Sequence, residues 1–220
     1  MSKIHILSTK ILSPIQKQEL IKADFEVTEA DFIKTESKKI ELKEVNENLI
    51  FTSQNAVHSV FQHTDLEKLK SKNVFCVGLK TKILLSEAGF NVVAYTGYAS
   101  DLAEIITLIY GSESFTFFSG NLRRETLPVA LKEAGVKFNE IKAYETTLTP
   151  HKMKTKTDAI LFFSPSGVKS YLKENTIKNE NCFCIGETTA SALDKITKNI
   201  IVADQPSVEE VIDDVIAEYK

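Results

Sequence analysis

The chain has 220 residues, of which 43% are hydrophobic, and a formal net charge of −3. This composition is ordinary for a globular protein with a buried core; it excludes disordered, collagen-like and coiled-coil chains, and no stretch reaches the roughly 20 consecutive apolar residues of a membrane helix. Because Lys and Arg total 27 against 30 Asp and Glu, with no basic block, we expect no nucleic acid as a partner.

Short apolar runs alternate with segments of helical periodicity along the whole chain. This alternation is typical of parallel strands joined by crossover helices, and all-apolar runs such as Ala159–Phe163 indicate strands covered on both faces. The sequence therefore predicts the α/β class, with strands near residues 4–7, 26–33, 49–52, 74–77, 92–95, 115–118, 136–145, 159–163, 182–185 and 200–203.

Two helix starts and one connecting segment are marked by their residues. Ser13-Pro14-Ile15-Gln16 combines an N-cap serine, a proline in the first turn and a glutamine that can close a capping box. Ser207-Val208-Glu209-Glu210 predicts a second capping box. The polar stretch 149–157 contains Pro150 and lacks apolar periodicity, which makes it the predicted linker.

The N-terminal residues and the cysteines indicate the cellular compartment of the protein. The first residues turn polar at Ser8, too soon for a secretory signal peptide. Cys76, Cys182 and Cys184 are too few, and odd in number, for a disulfide framework, so we expect reduced thiols. We therefore expect a cytoplasmic protein with no membrane as a partner.

The chain contains an internal repeat. Phe51–Val57 aligns with Phe162–Val168, Phe75–Thr81 with Phe183–Thr189, and Ile6–Ser8 with Phe117–Ser119. A repeat of this length predicts two similar domains. Two divisions give five strands per domain: either each contiguous half is a domain, or residues 37–147 form one domain while 1–34 join 151–220 in the other. Repeat counting does not choose between them.

Small or hydrogen-bonding residues follow most of the predicted strands. Open parallel sheets bind ligands beyond the carboxyl ends of their strands, where helix N-termini present unpaired N–H groups. Two domains facing each other would frame a polar cleft suited to an extended anion with many oxygens. The alternative is that each serine or threonine only caps a helix. The turns concerned are Ser8-Thr9, 52–55, Gly78, 119–121, 164–167 and 186–189.

Two arginines and a tyrosine near these turns are further candidates. Arg123 and Arg124 precede a predicted helix, and paired guanidinium groups suit carboxylate recognition. Alternatively, they form surface ion pairs with Glu125 or Glu133. Tyr144 ends a predicted strand, where its phenol is either a core aromatic or a hydrogen-bond donor in the cleft.

Common catalytic and metal-binding motifs are absent from the sequence. It contains no G-x-S-x-G elbow, Walker loop, G-x-G-x-x-G or H-E-x-x-H, so the common hydrolase, nucleotide and zinc functions lose support. Cys182 and Cys184 share one face of a predicted strand, but no second cysteine pair exists. A buried strand is therefore preferred over a metal site.

Six ordered motifs carry a resemblance to a known family. They are 51–57, Val77-Gly78 with Thr81, the segment 119–128 (SGNLRRETLP), Tyr144-Glu145-Thr146, 163–168 and 185–190. In this order and spacing the chain resembles the uroporphyrinogen-III synthase family over essentially its full length. Gln54 and Glu187 stand where proline is frequent in the family, which affects the expected loop shape only.

The resemblance implies two similar flavodoxin-like doubly wound parallel-sheet domains, joined by a two-stranded linker and with the active site in the cleft between them. Domain 1 would be discontinuous (1–34 and 151–220), domain 2 would span 37–147, and the linkers would lie near 34–38 and 146–151. It further implies a monomer that requires no metal or organic cofactor. A transient contact with the upstream bilane-producing enzyme is compatible with it.

The implied reaction closes the linear tetrapyrrole hydroxymethylbilane, a small-molecule substrate, into uroporphyrinogen III with inversion of ring D. Loss of the terminal hydroxyl gives an azafulvene cation, which attacks the substituted carbon of the last pyrrole, and the resulting spiro intermediate fragments and recloses. Tyr144 matches the family's cleft tyrosine, which implies a role at the departing hydroxyl. Substrate binding is assigned to Ser53, Thr81, Ser119, Gly120, Asn121, Arg123, Arg124, Ser164, Ser166, Gly186, Thr188 and Thr189.

Two other functions share the repeat and the capped turns. One is a non-catalytic two-lobed binding protein for a small polyanionic ligand, and the other is a regulatory or fused module that has lost activity. Composition does not separate them from an enzyme. The segment 121–128 and Tyr144 favour the enzyme through the resemblance.

Overall fold

The computed structural model describes residues 3–220. Within that range the strands are β1 (His5–Ser8), β2 (Glu26–Glu29), β3 (Ile33–Ser37), β4 (Asn48–Phe51), β5 (Asn73–Val77), β6 (Asn91–Thr96), β7 (Ser114–Gly120), β8 (Lys137–Leu148), β9 (Ala159–Phe162), β10 (Asn181–Cys184) and β11 (Ile200–Val202). The helices are α1 (Pro14–Lys22), α2 (Gln54–Phe61), α3 (Leu66–Lys70), α4 (Leu79–Glu87), α5 (Ala99–Ile109), α6 (Thr126–Glu133), α7 (Pro165–Tyr171), α8 (Glu187–Ala190) and α9 (Val208–Tyr219). Among these described helices, none has the length and apolar character needed to cross a membrane.

The first of two compact units comprises the described residues up to Lys34 together with Thr147–Lys220. Its sheet has the order β2-β1-β9-β10-β11, and every pair is parallel. Ile6 of β1 lies opposite Ala159 of β9, so the N-terminal segment and the C-terminal third share one sheet. Numbered along the unit, the strand order is 2-1-3-4-5, which is the flavodoxin-like order of doubly wound sheets.

The second unit, Thr35–Thr146, has a sheet of order β3-β8-β7-β4-β5-β6. The pairs from β8 to β6 are parallel. Strand β3 runs antiparallel to β8, because Lys38 N–H bonds the Ala143 carbonyl while Thr149 N–H bonds the earlier Phe32. Both places where the chain passes from one unit to the other lie in this strand pair.

The strand positions explain the internal repeat. In the second unit β8-β7-β4-β5-β6 occupy the positions that β2-β1-β9-β10-β11 occupy in the first. The strands that align in sequence are therefore the strands that correspond in space, although the second unit begins at its third position. The predicted pair of similar doubly wound domains is confirmed, with the second unit a circular permutation of the first.

Each sheet is covered by helices on both faces, which explains the all-apolar strands. Every residue of β4 and of β9 is buried. Leu161 packs with residues of α1 and α9, whereas its neighbour Ile160 packs with residues of α7 and α8 on the other face. Phe51 and Ile50 divide in the same way between the α2–α4 face and the α5–α6 face.

The predicted strand 26–33 is wrong as a single element. Residues 26–29 pair with β1, whereas the chain from Ile33 onward pairs with β8. The break falls at Asp31, whose carboxylate accepts from Ile11 N–H at 2.9 Å and whose carbonyl accepts from the Thr149 hydroxyl at 2.6 Å. Tertiary hydrogen bonds produce this break, so no glycine or proline is needed to mark it in the sequence.

The two predicted capping boxes differ in outcome. At Ser13 both halves are present, since the serine accepts from Gln16 N–H and the glutamine accepts from Ser13 N–H. At Ser207 the serine accepts from Glu210 N–H at 3.0 Å, but its own N–H bonds the Gln205 carbonyl instead of Glu210. The second helix start is therefore capped without the reciprocal bond.

Candidate functional site

Each unit has a point where its strand connections diverge. In the first unit the chain leaves β1 toward β2 and leaves β9 toward β10, so a crevice opens at the carboxyl ends of β1 and β9. The hydroxyl of Thr9, just after β1, donates to the Leu161 carbonyl of β9 at 2.7 Å. In the second unit the corresponding point lies at the ends of β7 and β4. Most predicted site residues follow these strands or the strands beside them, whereas Ser119 and Gly120 end β7 and Tyr144 lies within β8.

Helices α7 and α2, which correspond in the repeat, begin at a capping serine. Ser164 accepts from Gly167 N–H at 3.0 Å, and its oxygen lies 3.0 Å from the hydroxyl of Ser166. Ser53 accepts from Asn55 N–H at 3.2 Å. The capping alternative is thus realised at both serines, and each hydroxyl retains a proton that it can donate.

Helices α8 and α4, which also correspond, begin at a glycine without a side-chain cap. Gly78 has a left-handed φ of +91°, whereas Gly186 is extended and has open space where a Cβ would stand. The first N–H groups of such helices lack internal acceptors and can bind anions. Thr81 and Thr189, each at the third helical position, are 4% and 1% exposed, while Thr188 is exposed.

Tyr144 lies on β8 at the end of its pairing with β7. A β-bulge between Ser119 and Gly120 shifts the register, so that Gly120 lies opposite Tyr144. The Tyr144 ring packs against the buried cluster of its unit and stays partly exposed. Its hydroxyl has no hydrogen-bond partner within residues 3–220. The side chain thus combines the core and donor alternatives, with a packed ring and an available hydroxyl.

Ser119 and Arg123 are held by a carboxylate that the sequence analysis missed. Glu140 on β8 accepts from the Ser119 hydroxyl and from Arg123 Nε and Nη2, the latter two at 2.6 and 2.9 Å. Arg123 Nη1 also bonds Glu125 at 2.7 Å. The Arg123 bonds hold the pKa of Glu140 below its usual range, and Glu140 raises the pKa of Arg123. Both expected substrate contacts are therefore engaged inside the unit.

The two arginines are in different environments. Arg123 has a side chain 18% exposed and bonded to two carboxylates. Arg124 is exposed, and its guanidinium has no partner in the described part of the chain. The ion-pair alternative therefore applies to Arg123, with Glu140 and Glu125 as partners and not Glu133. Of the two arginines, Arg124 is the one whose guanidinium faces solvent without a partner among residues 3–220. One sequence signal pointed to Glu140, namely a charged residue in the middle of a predicted strand.

A cavity of about 1000 Å³ opens at the other end of the first unit. It lies beside Asp158, Asn181 and Tyr219, at the amino ends of β9 and β10. No predicted site residue lines it. Because ligands of doubly wound sheets bind at the carboxyl ends, we do not assign the substrate to this cavity.

Strand order, helices on both faces and helix starts along the carboxyl edges define a doubly wound α/β protein with two similar units. The profile of the family described as "Uroporphyrinogen-III synthase HemD" matches residues 12–213. The chain therefore belongs to the uroporphyrinogen-III synthase family, whose members are enzymes of haem biosynthesis with a small-molecule substrate. The resemblance found in the sequence is confirmed.

Solved structures share the fold over nearly the whole chain. Uroporphyrinogen-III synthetase from Helicobacter pylori is 21% identical with a TM-score of 0.75, covering 99% of this chain and 100% of that chain. A mutant uroporphyrinogen III synthase from Thermus thermophilus is 15% identical with a TM-score of 0.72 and the same coverage. The wild-type Thermus protein in a second crystal form is 16% identical with a TM-score of 0.57, covering 97% of each chain. At these identities the likeness shows the fold.

Proposed function

We propose that the chain is a cyclising hydro-lyase that converts hydroxymethylbilane into uroporphyrinogen III, and that strand-end turns of both units bind the substrate's acetate and propionate groups. The observation that carries this proposal is the repeated helix start. Helices α4 and α8 both begin at an uncapped glycine with a buried threonine at the third helical position. Such duplicated donors suit a ligand that repeats the same acidic arms on successive pyrroles.

Binding by these turns would select a conformation of the bilane. Hydrogen bonds between backbone N–H groups and carboxylates contribute about 1.5–3 kcal/mol each, so no single one dominates. Several acting together hold a flexible chain in one folded form. That is the main requirement of this reaction, because the uninverted ring also closes spontaneously. Catalysis is then chiefly by orientation and by fixed dipoles near developing charge.

Tyr144 is partly exposed and Arg124 is exposed, so both side chains can contact the substrate. As the C–O bond of the terminal hydroxymethyl group breaks, the oxygen takes up a proton from solvent and leaves as water. The Tyr144 hydroxyl donates a hydrogen bond to that oxygen. The cation left behind is attacked by the substituted carbon of ring D to give the spiro intermediate. This intermediate fragments, and reclosure at the unsubstituted carbon of ring D releases a proton to solvent. Arg124 pairs with a substrate carboxylate, supported by its exposed guanidinium.

We also propose a cellular setting for the enzyme. It works as a monomer in the cytoplasm and receives the unstable bilane through a transient contact with the enzyme that produces it. The unpaired, buried thiols of Cys76, Cys182 and Cys184 agree with a reducing compartment.

The direct test is incubation with freshly prepared hydroxymethylbilane, followed by separation of the type I and type III isomers. We expect mainly type III with the protein and type I without it. Tyr144→Phe should lower the type III fraction while far-UV circular dichroism stays unchanged. Exclusive formation of type I by the wild-type protein would overturn the proposed function, and an unchanged isomer ratio in Tyr144→Phe would remove Tyr144 from the mechanism.

A further inference from the structure

Strand β7 ends at Gly120, but its partner β8 continues to Leu148. The side chain of Asn121 bonds the part of β8 that β7 no longer pairs. Its Oδ1 accepts from Thr146 N–H at 2.7 Å, and its Nδ2 donates to the Thr146 carbonyl at 3.0 Å. One amide side chain therefore satisfies both main-chain groups of a residue two positions beyond Tyr144.

The absence of a side chain at Gly120 leaves the space that the Tyr144 ring occupies. A Cβ at Gly120 would lie 2.8 Å from the Tyr144 hydroxyl oxygen, and closer still to ring carbons Cζ and Cε2. The φ of Gly120 is not in the left-handed region, so backbone conformation does not require glycine here. The ring requires it, because a larger residue would displace the phenol.

The bulge makes these contacts possible. Ser119 is opposite Lys142, whereas Gly120 is opposite Tyr144, so Ala143 is the extra residue in β8. Bulges of this kind change the direction of a side chain near functional sites. The ring then lies over Gly120, and its hydroxyl remains without a partner in the described residues.

We infer that Asn121 and Gly120 are positioning residues, which hold the Tyr144 hydroxyl in place for the reaction and do not contact the substrate. This inference rests on the proposed function and changes the role that the sequence gave to both residues. Asn121 acts by fixing the main chain of β8 beyond Tyr144. Gly120 acts by leaving room for the ring.

The first experiment observes the ring without any turnover. Tyrosine-selective labelling and NMR would follow the Tyr144 ring signals, assigned by their loss in Tyr144→Phe. We expect shifted or broadened signals in Gly120→Ala and Asn121→Leu. The matched control is Gly97→Ala, where a Cβ has open space and φ is not left-handed. Ring signals unchanged in both Gly120→Ala and Asn121→Leu would overturn the inference, whatever the enzyme does.

The second experiment measures kinetics with hydroxymethylbilane. A displaced catalytic group costs about tenfold to a hundredfold in kcat for type III formation, while KM stays within about twofold because no substrate contact is lost. Adding Asn121→Leu to Tyr144→Phe should cause no further loss. A raised KM with kcat unchanged would overturn the inference in favour of direct contact.

Two results keep this inference separate from the proposed function. If Asn121→Leu unfolds the protein, Asn121→Asp serves in its place, because it keeps the acceptor for Thr146 N–H and replaces the donor to the Thr146 carbonyl by a carboxylate oxygen that repels it. If the wild-type protein forms no type III isomer, the proposed function fails. The NMR experiment still decides whether the two residues position the ring.

Discussion

Replacing Arg123 by Met removes the cation that holds the Glu140 carboxylate. The two side chains are 18% and 21% exposed, so water shields their charges only in part. Exposed pairs contribute about 0.2–1 kcal/mol, and breaking a fully buried pair costs about 3–5 kcal/mol. An intermediate burial with two bonds to one carboxylate places the expected loss in the free energy of unfolding at about 2 kcal/mol. For a chain of this length that corresponds to a fall in Tm of roughly 4–8 °C.

Urea unfolding followed by far-UV circular dichroism measures this loss, and Arg124→Met is the matched control. Because Arg124 is exposed and lacks a partner within residues 3–220, its replacement should change the free energy of unfolding by less than about 0.5 kcal/mol. It should nevertheless weaken substrate binding. Equal stability losses in the two variants, or a loss confined to Arg124→Met, would refute the division of roles between the arginines.

Three further predictions concern ionisation, thiols and backbone. The lowered pKa of Glu140 makes the stability of the protein depend on pH in acid. The ionised carboxylate contributes fully to the free energy of unfolding above its ordinary pKa of about 4.3, and this contribution is lost as pH falls through the folded-state pKa. The difference in unfolding free energy between wild type and Glu140→Gln should therefore shrink on going from about pH 7 to about pH 3, and an undiminished gap would contradict this. Burial raises the thiol pKa to about 11 at Cys76 and to about 12 at Cys182 and Cys184. Native protein at about pH 8 should resist iodoacetamide, with all three thiols alkylated only after unfolding; rapid native labelling would exclude the buried placement. Gly78→Ala, at a left-handed φ, should cost about 1–2 kcal/mol in thermal unfolding, whereas Gly186→Ala should be nearly neutral; the reverse order would count against the two helix starts described.

Patterns within single strands were enough to predict most of the fold. The buried runs, such as Ala159–Phe163, and the capping serines Ser13 and Ser207 depend on near neighbours in the chain, so the sequence displays them directly. The repeat added the correspondence between strands. It could not give the strand order, because the pairing of β1 with β9 joins residues more than half the chain apart. The boundary at Asp31 was missed for the same reason.

The site was less predictable than the fold. The sequence indicates which turns follow strands, but not which polar side chains bind one another. Arg123, in the turn after β7, meets Glu140 on the neighbouring strand β8. The amide of Asn121 meets Thr146 only because β8 extends beyond the end of β7. The sequence therefore offered Ser119, Asn121 and Arg123 as substrate contacts, whereas in the structure their side chains bond β8.

Under the proposed function, amides at the starts of α4 and α8 bind the carboxylates of the substrate. A ¹H–¹⁵N NMR titration with uroporphyrin III, a stable compound with the product's acidic arms, measures this binding residue by residue. We expect the largest shifts at the amides of Leu79, Thr81 and Thr188, because the Thr189 N–H already donates to the Gly186 carbonyl. Shifts that cluster at the amino-end cavity near Asn181, or no saturable shifts at all, would contradict the claim.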